Sequence, residues 1–226
     1  MRHFSQPLTI DQPFRIRPKD VVGTQDDDID LVTLVLGLVC TAEHARLLAV
    51  RLIEEFIDAS RVLTANSEEL ERVAGITELH LLAIRCVDAA ALRLIKLSAY
   101  HPPILSGSKS LIDYLHALMA HRTTEELRVI FLDVYHALIR DESISEGTID
   151  ATAAYPREIL KRALELGASS IILVHNHPSG DPSPSWRDQN LTSAVVAAAK
   201  SLDIIVHDHI VIGRNGHSSF RALGLL

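Results

Sequence analysis

The chain is poor in cysteine, in uninterrupted apolar sequence and in positive charge, and each shortage removes a class of protein. Cys40 and Cys86 are the two cysteines among 226 residues. Neither has a close-spaced partner, which argues against a disulfide framework or a cysteine zinc ribbon. Thiols inside apolar, helix-like stretches fit a reducing compartment. A zinc deaminase would need Pro-Cys-x-x-Cys beside His-x-Glu, and no Cys-x-x-Cys occurs. The longest apolar run, near Leu31 to Cys40, is broken by Thr33 and Gly37 and is too short for a bilayer. Met1 to Asp20 lacks the apolar core of a secretory signal. These absences lead us to expect a cytoplasmic protein with no membrane partner. Lys and Arg number 22 against 29 acidic residues, a formal net charge of −7. Phosphate contacts need a cationic surplus, so strong whole-chain attraction to nucleic acid is not expected. What is present, 47% hydrophobic and 23% charged residues, is the make-up of a globular chain with room for one or two domains.

Residues 1 to 28 hold Pro7, Pro13 and Pro18 and end in Asp26-Asp27-Asp28. With no apolar period they are expected to form a disordered tail. From about Asp30 to Tyr100 the spacing is helical, first at Leu31, Leu34, Val35 and Leu38, then at Leu47, Val50, Ile53, Phe56 and Ile57. Asn66 or Ser67 resembles an N-cap, with Glu68 and Glu69 in the first turn. Gly75-Ile76 breaks the pattern, and a further helix is expected from about Thr77 to Leu97. Residues 29 to 100 thus read as a small helical domain of four or five short helices.

His101-Pro102-Pro103 cannot continue a helix. A second domain is therefore expected over residues 104 to 226, entered by a helix from Ser106 to Ala120. Leu127 to Asp133 is short and rich in β-formers. Asp141 to Ile149 offers one or two strands with a turn at Gly147. Pro156 to Leu166 is an amphipathic helix with Gly167 just past its end. Ser170 to Val174 reads as a buried strand, Gln189 to Leu202 as a helix, and Ile204 to Ile212 as a strand whose turn, Gly213 to Gly216, leads to Ser218-Phe220. Strands and helices mix without strict alternation, so the fold class is α/β of the mixed α+β kind.

The stretch richest in chemistry runs from Leu173 to Asp188. His175 and His177 are two apart on a strand, so both rings leave one face, at the end where Pro178 stops the ladder. Neutral imidazole is a preferred zinc ligand. A Pro- and Gly-rich loop returns the chain to a helix starting near Ser185, and Asp188 lies in its first turn. Two histidines and a carboxylate leave a fourth position for water, the pattern of a catalytic zinc site. Zinc lowers that water's pKa to about 7. Each part also has a structural reading. Asp188 suits a helix start through the macrodipole, and Ser185 with Asp188 has capping-box spacing.

Taken whole, His-x-His-Pro, six residues, Ser, two residues, Asp resembles the JAMM (MPN+) metalloprotease motif, filled here by His175, His177, Pro178, Ser185 and Asp188. His175 to Gly180, Tyr155 to Leu160, Asp208 to Gly213 and Ser219-Phe220 resemble the bacterial RadC family in particular, over residues 29 to 226. The resemblance implies a JAMM/MPN domain of cytidine-deaminase-like architecture around a central mixed sheet. It implies one zinc ion per chain on His175, His177 and Asp188, and an upstream glutamate as general base. Glu125 matches that position, with Glu126 its rival, because a one-residue shift swaps strand faces. It further implies that Ser185 steadies the oxyanion. The expected function is a zinc-dependent metalloprotease or isopeptidase-like hydrolase with a peptide or protein substrate.

Other features carry less. His207 and His209 should share one strand face and Asp208 the other, with Asp208 as a partner orienting a zinc histidine or as ordinary core polarity. Trp186 is expected to pack, with covering the loop or touching substrate as the alternative. Val73-Ala74-Gly75-Ile76-Thr77 looks like the remains of a helix-hairpin-helix, which would set backbone amides near a DNA phosphate. Thr77 stands where a second glycine belongs, and residues 29 to 100 carry ten acids and seven bases. The alternative to the hydrolase is accordingly a non-catalytic, DNA-repair-associated adaptor with a structural zinc.

Overall fold

The computed structural model describes residues 25–104, 107–146 and 155–226. The expected tail up to residue 24, and the turn at Gly147, lie outside the described residues. The chain divides into two compact units between Asp88 and Ala89. Each hydrophobic period of the sequence becomes one helix or strand of the mixed α+β fold.

The first unit contains α1 (Gln25–Leu36), α2 (Ala42–Phe56), α3 (Ala59–Thr64), α4 (Ser67–Glu71) and the start of α5 (Glu78–Ala99). Asp26, Asp27 and Asp28 form the first turn of α1, where carboxylates meet the positive end of the helix dipole. Asn66 caps α4 in a reciprocal capping box with Glu69. Leu36, Leu48, Leu52, Ile53, Leu70 and Ile84 are central to its buried core. Two of the unit's arginines point at backbone: Arg51 donates to the Ala74 carbonyl and Arg85 to those of Leu63 and Ala65. Among the described residues no helix is long and apolar enough to cross a membrane.

The second unit holds α6 (Lys109–Met119), β1 (Glu126–Leu132), β2 (Leu138–Glu146), α7 (Tyr155–Leu166), β3 (Ser170–Asn176), α8 (Trp186–Lys200), β4 (Ile205–Gly213) and β5 (Gly216–Ser219). The strands form one sheet in the order β2-β1-β3-β4-β5. β3 and β4 are parallel, joined through α8, while the other pairs are antiparallel. Residues of period two line its faces. Leu127, Val129 and Phe131 join Ile171 and Leu173 in a core with Ile159, Leu191 and Val195 of α7 and α8. Ile130 and Leu132 join Ile172, Val174, Ile210 and Ile212 in a second core, with Leu111, Leu115 and Met119 of α6.

This alternation sets the site. Leu127 pairs with His175 across β1 and β3, so the odd-numbered residues of both strands face α8. A register shift between the pairs Ile171–Val206 and Ile172–Asp208 leaves His207 as an extra residue in β4. Such a bulge interrupts alternation, and His207 and His209 go to different neighbours. His207 lies edge-on to His136, whereas His209 lies beside His175. The regular alternation expected from His207 to His209 therefore does not hold.

Candidate metal centre

His175 is the last α8-facing residue of β3, one before its end at Asn176, and is buried; His177 follows just beyond the strand and is half-buried. Pro178 and Gly180 turn the chain, and Ser185 caps α8. Its hydroxyl accepts from Asp188 N at 3.3 Å, while the Asp188 carboxylate accepts from Ser185 N at 2.6 Å. The capping box does not take Asp188 away from the histidines: the cap holds its carboxylate turned back toward His175 and His177. His175 Nε2 lies 3.0 Å from His177 Nε2 and 3.2 Å from Asp188 Oδ1. His177 Nε2 lies 3.4 Å from Asp188 Oδ2. The Asp188 carboxylate thus turns a different oxygen to each histidine, and the three groups lie close enough together to share one small cation.

Glu125 immediately precedes β1 and completes the group; the four ligand atoms of Glu125, His175, His177 and Asp188 lie within 4.8 Å of one another. These residues could hold a metal ion. Glu126 faces the other way, buried between Arg122 and Arg128 at 2.7 and 2.9 Å. Asn176, between the two histidines, fixes this phase. Its side-chain oxygen accepts from Glu126 N at 2.9 Å and its amide donates to Thr124 O at 3.0 Å, so it grips the backbone on both sides of Glu125. Its position inside His-x-His was the one sequence signal that could have singled it out.

Electrostatics follow the geometry. Burial pushes Asp188 upward, yet hydrogen bonds from His175 and His177 outweigh it and hold the carboxyl well below its usual range. The Asp188 hydrogen bond in turn raises His177. Burial raises Glu125 against the opposing pull of His175 and His177, and burial depresses His209. His177 Nδ1 meets the Asp181 carbonyl at 2.8 Å. A carbonyl can only accept, so Nδ1 carries a proton there, and Nε2 is the nitrogen turned to the site.

A family model described as a RadC-like JAB domain matches residues 105–225. The chain belongs to the RadC family. It is 45% identical over 199 residues to a UPF0758 protein of Rhodobacter capsulatus, covering 88% of this chain and 93% of that one. A UPF0758 protein of Ruegeria pomeroyi is 43% identical over 199 residues, covering 88% and 89%.

In this RadC chain the loop after His177 is tied to the β4–β5 turn. His177 N donates to Ile212 O at 2.9 Å, and Arg214 Nη2 to Pro178 O at 2.7 Å. Gly213 lies against the loop so closely that an added Cβ would come 2.9 Å from both the Gly180 carbonyl carbon and Pro182 N. Both are backbone atoms, so neither can swing aside. Gly213→Ala is expected to cost about 1–3 kcal/mol, the usual penalty of overpacking, and to loosen His177. Thermal melting with and without added zinc checks it; an unchanged midpoint and unchanged zinc uptake would refute it.

The Asp208 carboxylate bonds to none of the imidazole rings of His175, His177 and His209. It accepts from His209 N at 2.8 Å, Arg221 N at 3.0 Å and the Ser219 hydroxyl at 2.6 Å, which ties the C-terminal turn to β4. The partner of His175 is His209, at 2.8 Å between ring nitrogens. Trp186 is 74% exposed on the first turn of α8, contrary to the expected packing, because its neighbours Ser185 and Asp188 take the inward positions.

Proposed function

We propose that the chain is a zinc-dependent hydrolase of amide bonds, of the metalloprotease or isopeptidase kind, acting on a peptide or protein. The carrying observation is the convergence of Glu125, His175, His177 and Asp188 on one point at the end of β3, in a chain whose family carries the JAB domain. His175, His177 and Asp188 would hold the ion, with Glu125 beside them. Bound zinc would supply Lewis acidity toward a carbonyl oxygen and acidify a bound water. Glu125 takes the attacking water's proton and returns it to the leaving amine. Ser185 accepts from Asp188 N, so its own O–H is available to donate to the developing oxyanion. The half-buried Glu125 and His177 form the open side of the site, and the exposed Trp186 offers a flat apolar surface nearby.

The test is metal analysis of the purified full chain together with hydrolysis of a panel of peptide and isopeptide substrates. One zinc per chain is expected, lost in His175→Ala, with hydrolysis abolished by chelation and restored by zinc. Undiminished hydrolysis after chelation would end the zinc-dependent reading. A bound zinc with no hydrolysis, alongside salt-dependent duplex binding, would favour the adaptor.

A further inference from the structure

The ladder between β1 and β3 stops just short of Glu125. Its last backbone pair is Leu127–His175. Each strand goes on with its other neighbour: β1 beside β2 to Glu126–Glu146, and β3 beside β4 to Asn176–Ile212. His177 N still donates to Ile212 O at 2.9 Å. Continued by two residues, the β1–β3 register would set Glu125 directly opposite His177, and paired strands bring opposite Cβ atoms to about 4.5–5.5 Å. The two central strands therefore part company at the residues that face the site.

Asn176 bridges the parting. It is 1% exposed, so both polar ends of its amide need partners inside the protein. Its Oδ1 accepts from Glu126 N at 2.9 Å and its Nδ2 donates to Thr124 O at 3.0 Å. A peptide N–H only donates and a carbonyl only accepts, so these partners force the orientation of the amide. A paired strand would satisfy the same two groups with its own backbone. Here a side chain does so, and β3 stands one side chain further off.

The two bonded groups belong to the two peptide planes that flank Glu125. Thr124 O lies on the plane before it and Glu126 N on the plane after it. Peptide planes are stiff, and a residue's only soft backbone rotations are those between its two planes. Holding both planes therefore fixes φ and ψ of Glu125, and with them the direction of its Cα–Cβ bond. We propose that Asn176 is a positioning residue whose amide aims the Glu125 side chain at His175, His177 and Asp188 and so sets the rate of the chemical step. This rests on the hydrolase reading of the site. The metal-facing groups have anchors of their own, since His177 is tied to β4 and Asp188 to the α8 cap.

Asn176→Leu keeps the branched shape and removes both hydrogen bonds. Zinc per chain and KM should stay close to wild type, while kcat should fall by about 100-fold, the loss that follows a misplacement of about 1 Å. Amide hydrogen exchange of the full chain gives a readout that needs no turnover. The Glu126 amide should exchange slowly in the wild type and about 10-fold faster in Asn176→Leu, with Val129, inside the paired part of β1, little changed. A zinc-loaded Asn176→Leu chain with wild-type kcat overturns the proposal. So does a loss confined to melting temperature or zinc content with kcat per bound zinc unchanged, which would mark Asn176 as core filling alone. Rapid exchange of the Glu126 amide in the wild type also overturns it, whether or not the variant folds. A wild type that hydrolyses no substrate defeats the hydrolase reading, and the exchange comparison still decides whether Asn176 holds the backbone around Glu125.

Discussion

Glu125→Gln should lower amide hydrolysis by about 10²- to 10⁴-fold, the usual contribution of a general acid–base group, while the chain stays folded and keeps its zinc. The neighbouring change, Glu126→Gln, should do the reverse. Glu125 reaches the His175, His177 and Asp188 cluster, and glutamine there keeps the shape but cannot take a proton. His175, His177 and Asp188 would still hold the ion. Glu126 points to the opposite face of the sheet, where its buried carboxylate pairs with Arg122 and Arg128. Neutralising it leaves two cations less well matched in a covered place, so the loss falls on the melting temperature and not on the chemical step. Rates, zinc content and melting curves of the two variants, measured side by side, make the comparison. A Glu125→Gln enzyme working at the wild-type rate would remove Glu125 from the mechanism.

That pair of residues marks where the sequence stops being legible. His175, His177, Ser185 and Asp188 sit within fourteen positions, so strand period and capping-box spacing are enough to bring them together on paper. The choice between Glu125 and Glu126 depends instead on the phase of β1 against β3, which is fixed by the Leu127–His175 pair and by Asn176 gripping Thr124 and Glu126. Contacts fifty residues apart leave no local periodicity to read. The bulge at His207 is likewise silent, because an extra residue in a strand changes no composition. It is the reason His209, and not Asp208, meets His175. The mixed α+β fold was readable because each element repeats its own period. The acidic run Asp26 to Asp28 was harder, since charge alone fits both a loose tail and the first turn of a helix.

Asp141→Asn should be the most destabilising polar change in the second unit, by about 3 kcal/mol at neutral pH, the low end for breaking a buried ion pair. For a chain of this length that is a fall of roughly 6 to 12 °C in melting temperature. The Asp141 side chain on β2 is wholly covered. It accepts from Arg128 of β1, from Lys96 of α5 at 2.9 Å and from the Tyr114 hydroxyl of α6 at 2.8 Å. One carboxylate therefore joins two strands and two helices. Glu126 also pairs with Arg128, which offsets part of the loss and argues for the low end. Burial raises the Asp141 pKa, but Arg128, Lys96 and Tyr114 together reverse the shift and hold it below its ordinary 3.8. A depressed carboxyl favours the folded state once it is ionised. Its contribution is thus fully present above pH 3.8 and drains away as the pH falls through the lower folded value. The gap between wild type and Asp141→Asn should then narrow in acid. The next residue, Glu142, lies on the other face of β2, partly exposed and paired with Arg162 of α7, and Glu142→Gln should lower the melting temperature far less. Equal losses in the two variants would mean that the strand tolerates neither amide. In that case burial of the Asp141 network would not be the source of the effect.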